Sequence, residues 1–315
     1  MTVLWCWLLP LPGLLWAVIR LGGWERGLLV PLFAFTPYVA VWSWLPVVLA
    51  FGTRRWTAGG VALIAALALT AAVLPRALAS GDRGPSTGVP LGVMTSNMLY
   101  GQADPETIVR LVRKHEVAVL AVQEFTPDGR RALADAGLGD LLPYSSLADE
   151  PGSPGSGVYS RFPVTAAGAR RNGGGFQQAY ATIDVPGAGA VAVESAHPLA
   201  PYALNVLGHW HADLRAQPRP AEDGPPSILL GDFNATLDHG PLRALLAAGY
   251  RDAAEAAGRG LIPTWPANRR PVPPVTIDHV LVDERIGVRR VSVHRIPKSD
   301  HRAVVAQLTV PAADR

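Results

Sequence analysis

The chain has 315 residues, enough for about two domains, and 49% of them are hydrophobic, which is high for a wholly soluble protein. The formal net charge is +3, but five of the 28 basic residues and only one of the 25 acidic residues lie in the first 79 positions, so the rest is close to neutral. Extensive phosphate contacts with nucleic acid usually need a basic stripe, and the bulk charge indicates none. The single cysteine, Cys6, excludes an intramolecular disulfide.

Three long apolar runs occupy the N-terminal quarter, at residues 3–19, 28–51 and 57–75. Each is about as long as a helix needs to cross the ~30 Å hydrocarbon core of a bilayer. A cleaved signal peptide followed by soluble core helices is the alternative, but the opening MTVLWCWLLP has no basic residue. The prolines in the first two runs are also tolerated better in membrane helices than in soluble ones. We therefore expect residues 1–79 to form an anchor of three transmembrane helices.

The tryptophans agree with a membrane anchor, because seven of the nine lie before residue 57 and several are near the ends of the apolar runs. Charge does not orient the anchor, since arginines are spread almost evenly over the three connections: Arg20 and Arg26, Arg54 and Arg55, Arg76 and Arg83. Three spans would put the following domain on the side of the membrane opposite the N-terminus.

Residues 80–90 have the composition of an exposed linker, and residues 91–315 are enough for one sizeable core. Two helices are predicted there, PETIVRLVRKH with Asp104 as N-cap, and PLRALLAAG closing on Gly249. They alternate with nine predicted strands: LGVMTSN, VAVLAVQE, SGVYSRFPV, AYATIDV, AVAVESAH, SILLGD, TIDHVLVD, VRRVSVHRI and VVAQLTV. The alternation predicts an α/β domain.

Polar residues able to bind a metal ion or a phosphate lie at the ends of several predicted strands. They are Asn97, Glu124, His197, Asp232, Asn234, Asp278 and the group Ser299, Asp300 and His301. Any one of them is compatible with a helix cap or a turn, and a lone His or Glu at a strand end is more often structural. Gathered at one edge of a sheet, however, they are what a divalent-metal phosphoryl-transfer site needs.

The stretch SILLGDFNATLD illustrates how a strand can deliver such groups. Its apolar part stops at Gly231, where the absence of a side chain allows close backbone approach. Residues two apart in a strand point to the same side, so Asp232 and Asn234 can converge while Phe233 turns into the core.

The motifs SNMLYG, VQEF, YSRFPV, GDFNAT, IDHVLV and SDHRAVVA, in this order, resemble the endonuclease/exonuclease/phosphatase superfamily from about residue 91 to residue 310. The resemblance implies a four-layer α/β sandwich of two mixed, mainly antiparallel sheets flanked by helices, with the active site at one rim. It also implies a divalent metal ion, Mg²⁺ or Mn²⁺, held by oxygen ligands.

The resemblance further implies roles for individual residues. Glu124 corresponds to the principal metal ligand, with Asn97 beside it and Asp300 close to metal and substrate. Asp232 and Asn234 flank the attacking water, and Asp278 fixes the tautomer of His301; whether Asp232 or His301 is the base stays open. His197 matches a second histidine near the phosphate, with His209 and His211 as alternatives, and His279 should face away from the site.

The domain order resembles actinobacterial membrane proteins associated with teicoplanin and vancomycin resistance, whose catalytic domain lies outside the plasma membrane. The hypothesis is a multi-pass cell-membrane protein with an extracytoplasmic, metal-dependent phosphohydrolase domain. Its expected partners are the lipid bilayer and a phosphate ester or pyrophosphate, with a polyprenyl lipid carrier as one candidate. The site motifs fit a membrane-tethered nuclease as well, so nucleic acid remains an alternative substrate, and a catalytically idle binding domain is a third hypothesis.

Overall fold

The computed structural model describes residues 7–80, 88–268 and 271–313. Its N-terminal part, residues 10–77, is called the helical region below. Its elements are the helices Pro10–Gly22, Leu29–Phe33, Thr36–Trp42, Trp44–Gly52 and Trp56–Val73, and the 3₁₀ turn Leu74–Ala77. Residues 1–6, where the first predicted span begins, lie outside the described residues.

One helix among the described residues, Trp56–Ala77, is long and apolar enough to cross a membrane, with a mean hydropathy of 2.1. Pro10–Gly22 and Thr36–Gly52 are apolar but shorter, so three transmembrane helices are not confirmed. The predicted second span is interrupted before Thr36, where Pro37 in the first turn lacks a backbone N–H donor. It is interrupted again at Ser43, whose hydroxyl donates to the carbonyl of Ala40.

The helices of this region pack through small side chains and expose large ones. Trp56–Val73 buries Ala58, Ala62 and Ala66 on one face, while Ile64 and Leu67 are 65% and 50% exposed. Small residues let helix backbones approach closely, which is the packing typical of membrane helices.

Twelve strands in the described residues form two six-stranded sheets. The first sheet has the order β11-β12-β1-β2-β4-β3 and the second β5-β6-β7-β8-β10-β9. Their bounds are β1 Val89–Asn97, β2 Val119–Gln123, β3 Tyr144–Ala148, β4 Ser156–Ser160, β5 Val164–Arg171, β6 Gln177–Val185, β7 Gly189–Ala196, β8 Ser227–Asp232, β9 Tyr250–Asp252, β10 Asp278–Asp283, β11 Gly287–Arg295 and β12 Arg302–Val310. Because β1 begins at Val89, the predicted linker ends two residues early, and its residues 81–87 lie outside the described part.

Helices cover the outer faces of both sheets. Pro105–Lys114, Pro127–Asp135 and Leu138–Leu141 pack on the first sheet, and Leu207–Arg215 and Gly240–Leu246 on the second. Valines, isoleucines, leucines and alanines of both sheets fill the layer between them. The predicted N-cap Asp104 accepts a hydrogen bond from the Thr107 amide. The predicted sandwich of two mixed sheets flanked by helices is confirmed, and it is mainly antiparallel, since only β1–β2 and β7–β8 pair in parallel.

This topology brings the polar strand ends to one rim. Parallel neighbours end at the same edge, which groups the ends of β1 and β2, and likewise of β7 and β8. Antiparallel neighbours start where their partner ends, so β10 starts beside the end of β8, with Asp278 opposite Asp232. A Cβ at Gly231 would lie 1.9 Å from the carbonyl oxygen of Ala196. The close approach of β7 and β8 therefore requires glycine at this position, as the sequence predicted.

Candidate active site

A hydrogen-bonded aspartate–histidine pair lies at the centre of this rim. His301 donates from Nδ1 to Asp278, with Nδ1 2.9 and 3.1 Å from its two carboxylate oxygens. That bond fixes the tautomer and turns Nε2 towards Asp232, whose Oδ2 is 3.6 Å away. All three side chains are buried, and β8, β10 and the turn before β12 supply them. The predicted pairing of Asp278 with His301 is present.

Burial and neighbouring charges raise the pKa of both His301 and Asp232. Burial alone would lower the pKa of His301, but the negative charges of Asp278 and Asp232 outweigh it and raise the pKa. Burial raises the pKa of Asp232, and the positive charge of His301 opposes that shift. The surroundings therefore favour the charged form of His301 and make Asp232 a better proton acceptor than an exposed aspartate.

Glu124 follows β2 and faces the same space. Its Oε2 accepts a hydrogen bond from the Tyr100 amide (2.9 Å), and its Oε1 accepts one from the Asn97 side chain (3.2 Å). Burial raises the pKa of Glu124 despite these bonds.

Glu124 and Asn234 have φ values of 51° and 48°, in the left-handed region that disfavours residues with a side chain, and such strain is typical of functional sites.

Asn97 bridges two carboxylates. Its Nδ2 donates to Glu124 and, at 3.1 Å, to Asp232, while its Oδ1 accepts from the Leu99 amide. Metal ligation by an asparagine uses the oxygen, so the predicted ligand role requires the amide to turn over. That role stays a prediction.

Asp300 is buried beside His301, with Oδ1 4.0 Å from the Nε2 atom of His301. Its Oδ2 accepts a hydrogen bond from Trp265 Nε1 at 3.1 Å. Trp265 was not predicted as a site residue, and its only signal in the sequence is that it is one of two tryptophans after residue 56.

His197 follows β7 and is the histidine that the structure brings to the site. Its Nε2 is 3.9 Å from Asp232 Oδ2, and the ring of Phe176 packs edge-on against it with centroids 4.6 Å apart. Burial and the charge of His301 lower the pKa of His197 to about 3, so its ring is neutral. Asn234 is fixed nearby, because its Nδ2 donates to the Pro198 carbonyl at 3.0 Å.

The other histidines considered lie elsewhere. His209 and His211 are on the helix Leu207–Arg215 and do not line the cavity at the site. His279 is buried on β10 between Asp252, 2.8 Å from its Nδ1, and the carbonyl of Ala235, 2.9 Å from its Nε2. It is a structural residue, as its position next to Asp278 predicts.

The side chains suit a divalent cation. Four carboxylates, those of half-buried Glu124 and of buried Asp232, Asp278 and Asp300, surround the charged imidazole of His301, and a divalent ion would offset their negative charge. Ligand atoms of Asp232, Asp278 and His301 lie within 4.8 Å of one another. Glu124, Asp232 and Asp300 line the cavity at the site, whereas Asp278 lies behind His301 and does not.

A cavity of about 550 Å³ opens at these residues, a size typical of ligand sites. Its polar wall contains Glu124, His197, Asp232, Asn234, Asp300 and His301. Its apolar wall includes residues of the helical region, Pro31, Ala34 and Phe35, together with Tyr202, Val275 and other residues of the sandwich. The helical region was predicted only as an anchor, so its contribution to the site is a finding of the structure.

The helical region is locked to the loop after β8 by a buried ion triad of Arg20, Arg76 and Asp238. Arg20 Nε and Arg76 Nη2 are each 2.6 Å from Asp238 Oδ1, and Arg76 Nη1 is 2.7 Å from Oδ2. Next to it, His239 Nε2 donates to the carbonyl of Val30 at 2.8 Å. The same loop carries Asn234, so the helical region and the catalytic residues are held against one another.

Comparison with known proteins identifies a family and structures of the same fold. Residues 94–301 match the Endonuclease/Exonuclease/phosphatase family. An endonuclease/exonuclease/phosphatase from Beutenbergia cavernae DSM 12333 is similar in structure, with a TM-score of 0.57 and 22% identity over 70% of this chain and 72% of that one. None of the curated proteins compared with the chain matches it.

Two further structures share the fold. Humanized D. rerio TDP2 carrying 14 mutations has a TM-score of 0.56 and 14% identity over 70% of this chain and 98% of its own. Sphingomyelinase C from Streptomyces griseocarneus has a TM-score of 0.51 and 16% identity over 71% and 100%. The family match covers about two thirds of the sequence and includes Glu124, Asp232 and His301. The chain therefore belongs to the Endonuclease/Exonuclease/phosphatase family, whose members hydrolyse phosphoric ester bonds.

Proposed function

We propose that this protein is a membrane-anchored, divalent-metal-dependent phosphohydrolase that cleaves a phosphate ester or pyrophosphate carried by a membrane lipid. The observation that carries the proposal is the composition of the catalytic cavity: one wall holds the carboxylates and imidazoles, and the other includes apolar residues of the helical region. A lipid phosphate has both parts, a charged head for the first wall and an apolar body for the second.

The chemistry assigned to the side chains follows from their geometry. Glu124 and Asp300, with the side-chain oxygen of Asn97, would hold the ion, which we propose to be Mg²⁺ or Mn²⁺ because these ligands are oxygens. Such an ion, when bound, supplies charge stabilisation to the phosphoryl oxygens. His301, oriented by Asp278, donates a hydrogen bond to a phosphoryl oxygen. Asp232 accepts the proton of the attacking water, which Asn234 helps to orient.

Membrane attachment is supported by the distribution of exposed apolar side chains. Twenty-two exposed large hydrophobic residues lie between residues 7 and 78, against six in the rest of the described chain. A concentration of this kind marks a membrane or protein interaction surface. We propose that Trp56–Ala77 crosses the bilayer, that the two shorter apolar helices are embedded beside it, and that the sandwich lies outside the cytoplasm.

The lipid part of the proposal has two further supports. A relative of the same fold, sphingomyelinase C, is named for a lipid substrate. A tether also raises the effective concentration of substrates in the same membrane, whereas it does little for a soluble nucleic acid. A polyprenyl lipid carrier is the specific candidate that we propose.

The test is a substrate panel with the purified full-length protein in lipid nanodiscs and Mg²⁺. The panel contains single- and double-stranded DNA, sphingomyelin, an inositol phosphate and a polyprenyl pyrophosphate, with Glu124→Ala as the control. We expect hydrolysis of a lipid phosphate that Glu124→Ala loses. Faster cleavage of DNA would identify a tethered nuclease, and no cleavage of any substrate would favour the idle binding domain.

A further inference from the structure

A second cavity meets the catalytic cavity where the helical region contacts the sandwich. It measures about 490 Å³ and shares Ala34 and Val275 with the catalytic cavity, so the two spaces adjoin at these residues. Its walls include Tyr38, Val41 and Trp42 from the helical region and Leu237, Leu261 and Pro274 from the sandwich. We call this second cavity the tail groove.

The tail groove is bridged by a hydrogen bond between its two walls. The hydroxyl of Tyr38 donates to the carbonyl of Pro274 at 2.7 Å. The charged residues that line the groove, Arg76 and Asp238, are buried and paired with each other in the ion triad. The remaining lining is mostly apolar, so the groove suits an uncharged hydrocarbon occupant.

The outer end of the groove continues into the apolar surface of the helices. Val41 and Trp42 are 76% and 40% exposed, and both belong to the shorter apolar helix Thr36–Gly52. Leu45, Val48 and Leu49 on the same helix are also exposed. The tail groove therefore lies between the catalytic cavity, which it adjoins at Ala34 and Val275, and the apolar surface that the proposed function places in the bilayer.

We infer that the tail groove holds the hydrocarbon chain of the substrate while its phosphate lies at Asp232 and His301. The inference rests on the proposed function and adds to it the residues that select for chain length. A short chain would reach only the catalytic cavity, whereas a long chain would continue past Ala34 and Val275 into the groove. Each methylene buried there gains roughly fourfold in binding, so long chains are preferred substrates.

The experiment compares butyl and hexadecyl forms of whichever phosphate linkage the wild-type protein cleaves, in one detergent at fixed micelle concentration. Three variants of the full-length protein are used. Leu261→Trp narrows the tail groove from the sandwich side, and Val41→Asp adds a charge at its outer rim; neither residue lines the catalytic cavity. Val48→Phe is the matched control, because Val48 is exposed on the same helical surface and lines neither cavity.

We expect Leu261→Trp and Val41→Asp to lower kcat/KM for the hexadecyl substrate by about tenfold or more, and for the butyl substrate by less than about threefold. Val48→Phe should match the wild type on both. Retained butyl hydrolysis shows that a variant is folded, and either variant decides the matter if the other is not folded. An unchanged hexadecyl-to-butyl ratio in the folded variants, or a wild type without preference for hexadecyl, overturns the inference and leaves the proposed function standing. A wild type that cleaves no phosphate linkage overturns both.

Discussion

Three side chains of the candidate active site, Glu124, Asp232 and His301, provide the most direct test of the catalytic roles. Glu124→Ala, Asp232→Ala and His301→Ala should each lower turnover by at least about a hundredfold, the lower end of what a general acid or base contributes. The fold should persist, because these side chains lie at the rim rather than in the apolar core between the sheets. Turnover on the substrate found in the panel and circular dichroism measure the two effects. Asp184→Ala, at an exposed position of β6, is the control. If one of the three site variants is folded and keeps near-full activity, the role given to the residue it replaces is wrong.

The metal assignment makes a separate prediction. With oxygen donors, an imidazole and no thiolate, activity should disappear on treatment with EDTA and return with Mg²⁺ or Mn²⁺, while Zn²⁺ should be a poor substitute. The measurement is turnover after chelation and dialysis, followed by titration with each ion. Activity that survives exhaustive chelation would contradict metal dependence.

Residues at strand ends were recognisable from the sequence because a run of apolar residues that stops at a carboxylate or histidine is a visible pattern. Glu124, His197 and Asp232 all have this pattern, and the structure brings them together. Trp265 comes from an irregular loop and contacts Asp300 across 35 positions of sequence. No periodicity indicates such a contact, so it could not be predicted.

At the scale of elements, a conservative substitution in the ion triad should strongly destabilise the packing of the helical region against the sandwich. Asp238→Asn keeps the shape of the side chain but leaves Arg20 and Arg76 buried without their counter-charge, which typically costs about 3–5 kcal/mol. We expect a lower thermal midpoint and faster hydrogen exchange in residues 20–30 and 236–243. Asp128→Asn, which breaks an exposed ion pair with Arg131, should change neither. Unchanged exchange in Asp238→Asn would show that the triad does not hold the elements together.

The same triad makes docking of the helical region sensitive to acid. Burial alone would raise the pKa of Asp238, but the hydrogen bonds and positive charges of Arg76 and Arg20 outweigh it and hold the pKa below the ordinary 3.8. Because the pKa is lower in the folded state, ionised Asp238 stabilises the fold above pH 3.8, and the contribution is lost as pH falls through the folded-state value. The difference in thermal midpoint between wild type and Asp238→Asn should therefore be constant above 3.8 and shrink below it. A difference that persists at lower pH would contradict this linkage.

Most strands were predicted, and the three that were missed, β3, β5 and β9, are edge strands. β9 has only three residues, Tyr250–Asp252, while β3 reads YSSLA and β5 reads VTAAGARR, so none of them shows a clear apolar alternation. The interruption of the second apolar run was missed for a different reason. Pro31, Pro37 and Pro46 were read as tolerable within one membrane helix, whereas the chain forms three short helices there.

For the whole molecule, the proposed orientation is tested with reporters fused after Arg315. A reporter that is active only outside the cytoplasm should be active, and one that is active only inside should be silent, because an extracytoplasmic sandwich carries the C-terminus with it. Both fusions must be membrane-associated and equally abundant on immunoblots. The reverse pattern would put the sandwich in the cytoplasm.

The association of the helical region with the sandwich was beyond sequence reasoning. Arg20 and Arg76 were counted as charges that orient a membrane protein, whereas both are paired with Asp238. The partners are 218 and 162 positions apart, and no local pattern links residues at such separation. Val30 likewise packs among core residues of the second sheet's outer layer, such as Trp210 and Phe233.

The ion triad also determines the order of events during biosynthesis. Arg76 leaves the ribosome 162 residues before Asp238, a delay of roughly 8–32 s at about 5–20 residues per second. Throughout that interval both arginines lack the carboxylate that neutralises them in the finished protein, so they must stay hydrated or bind other anions. Final packing of the earliest part of the chain therefore waits for translation of β8 and the loop after it. A ribosome stalled before Asp238 would hold a nascent chain whose helices are made but whose Asp278, Asp300 and His301 are not, so neither the ion triad nor the active site could form.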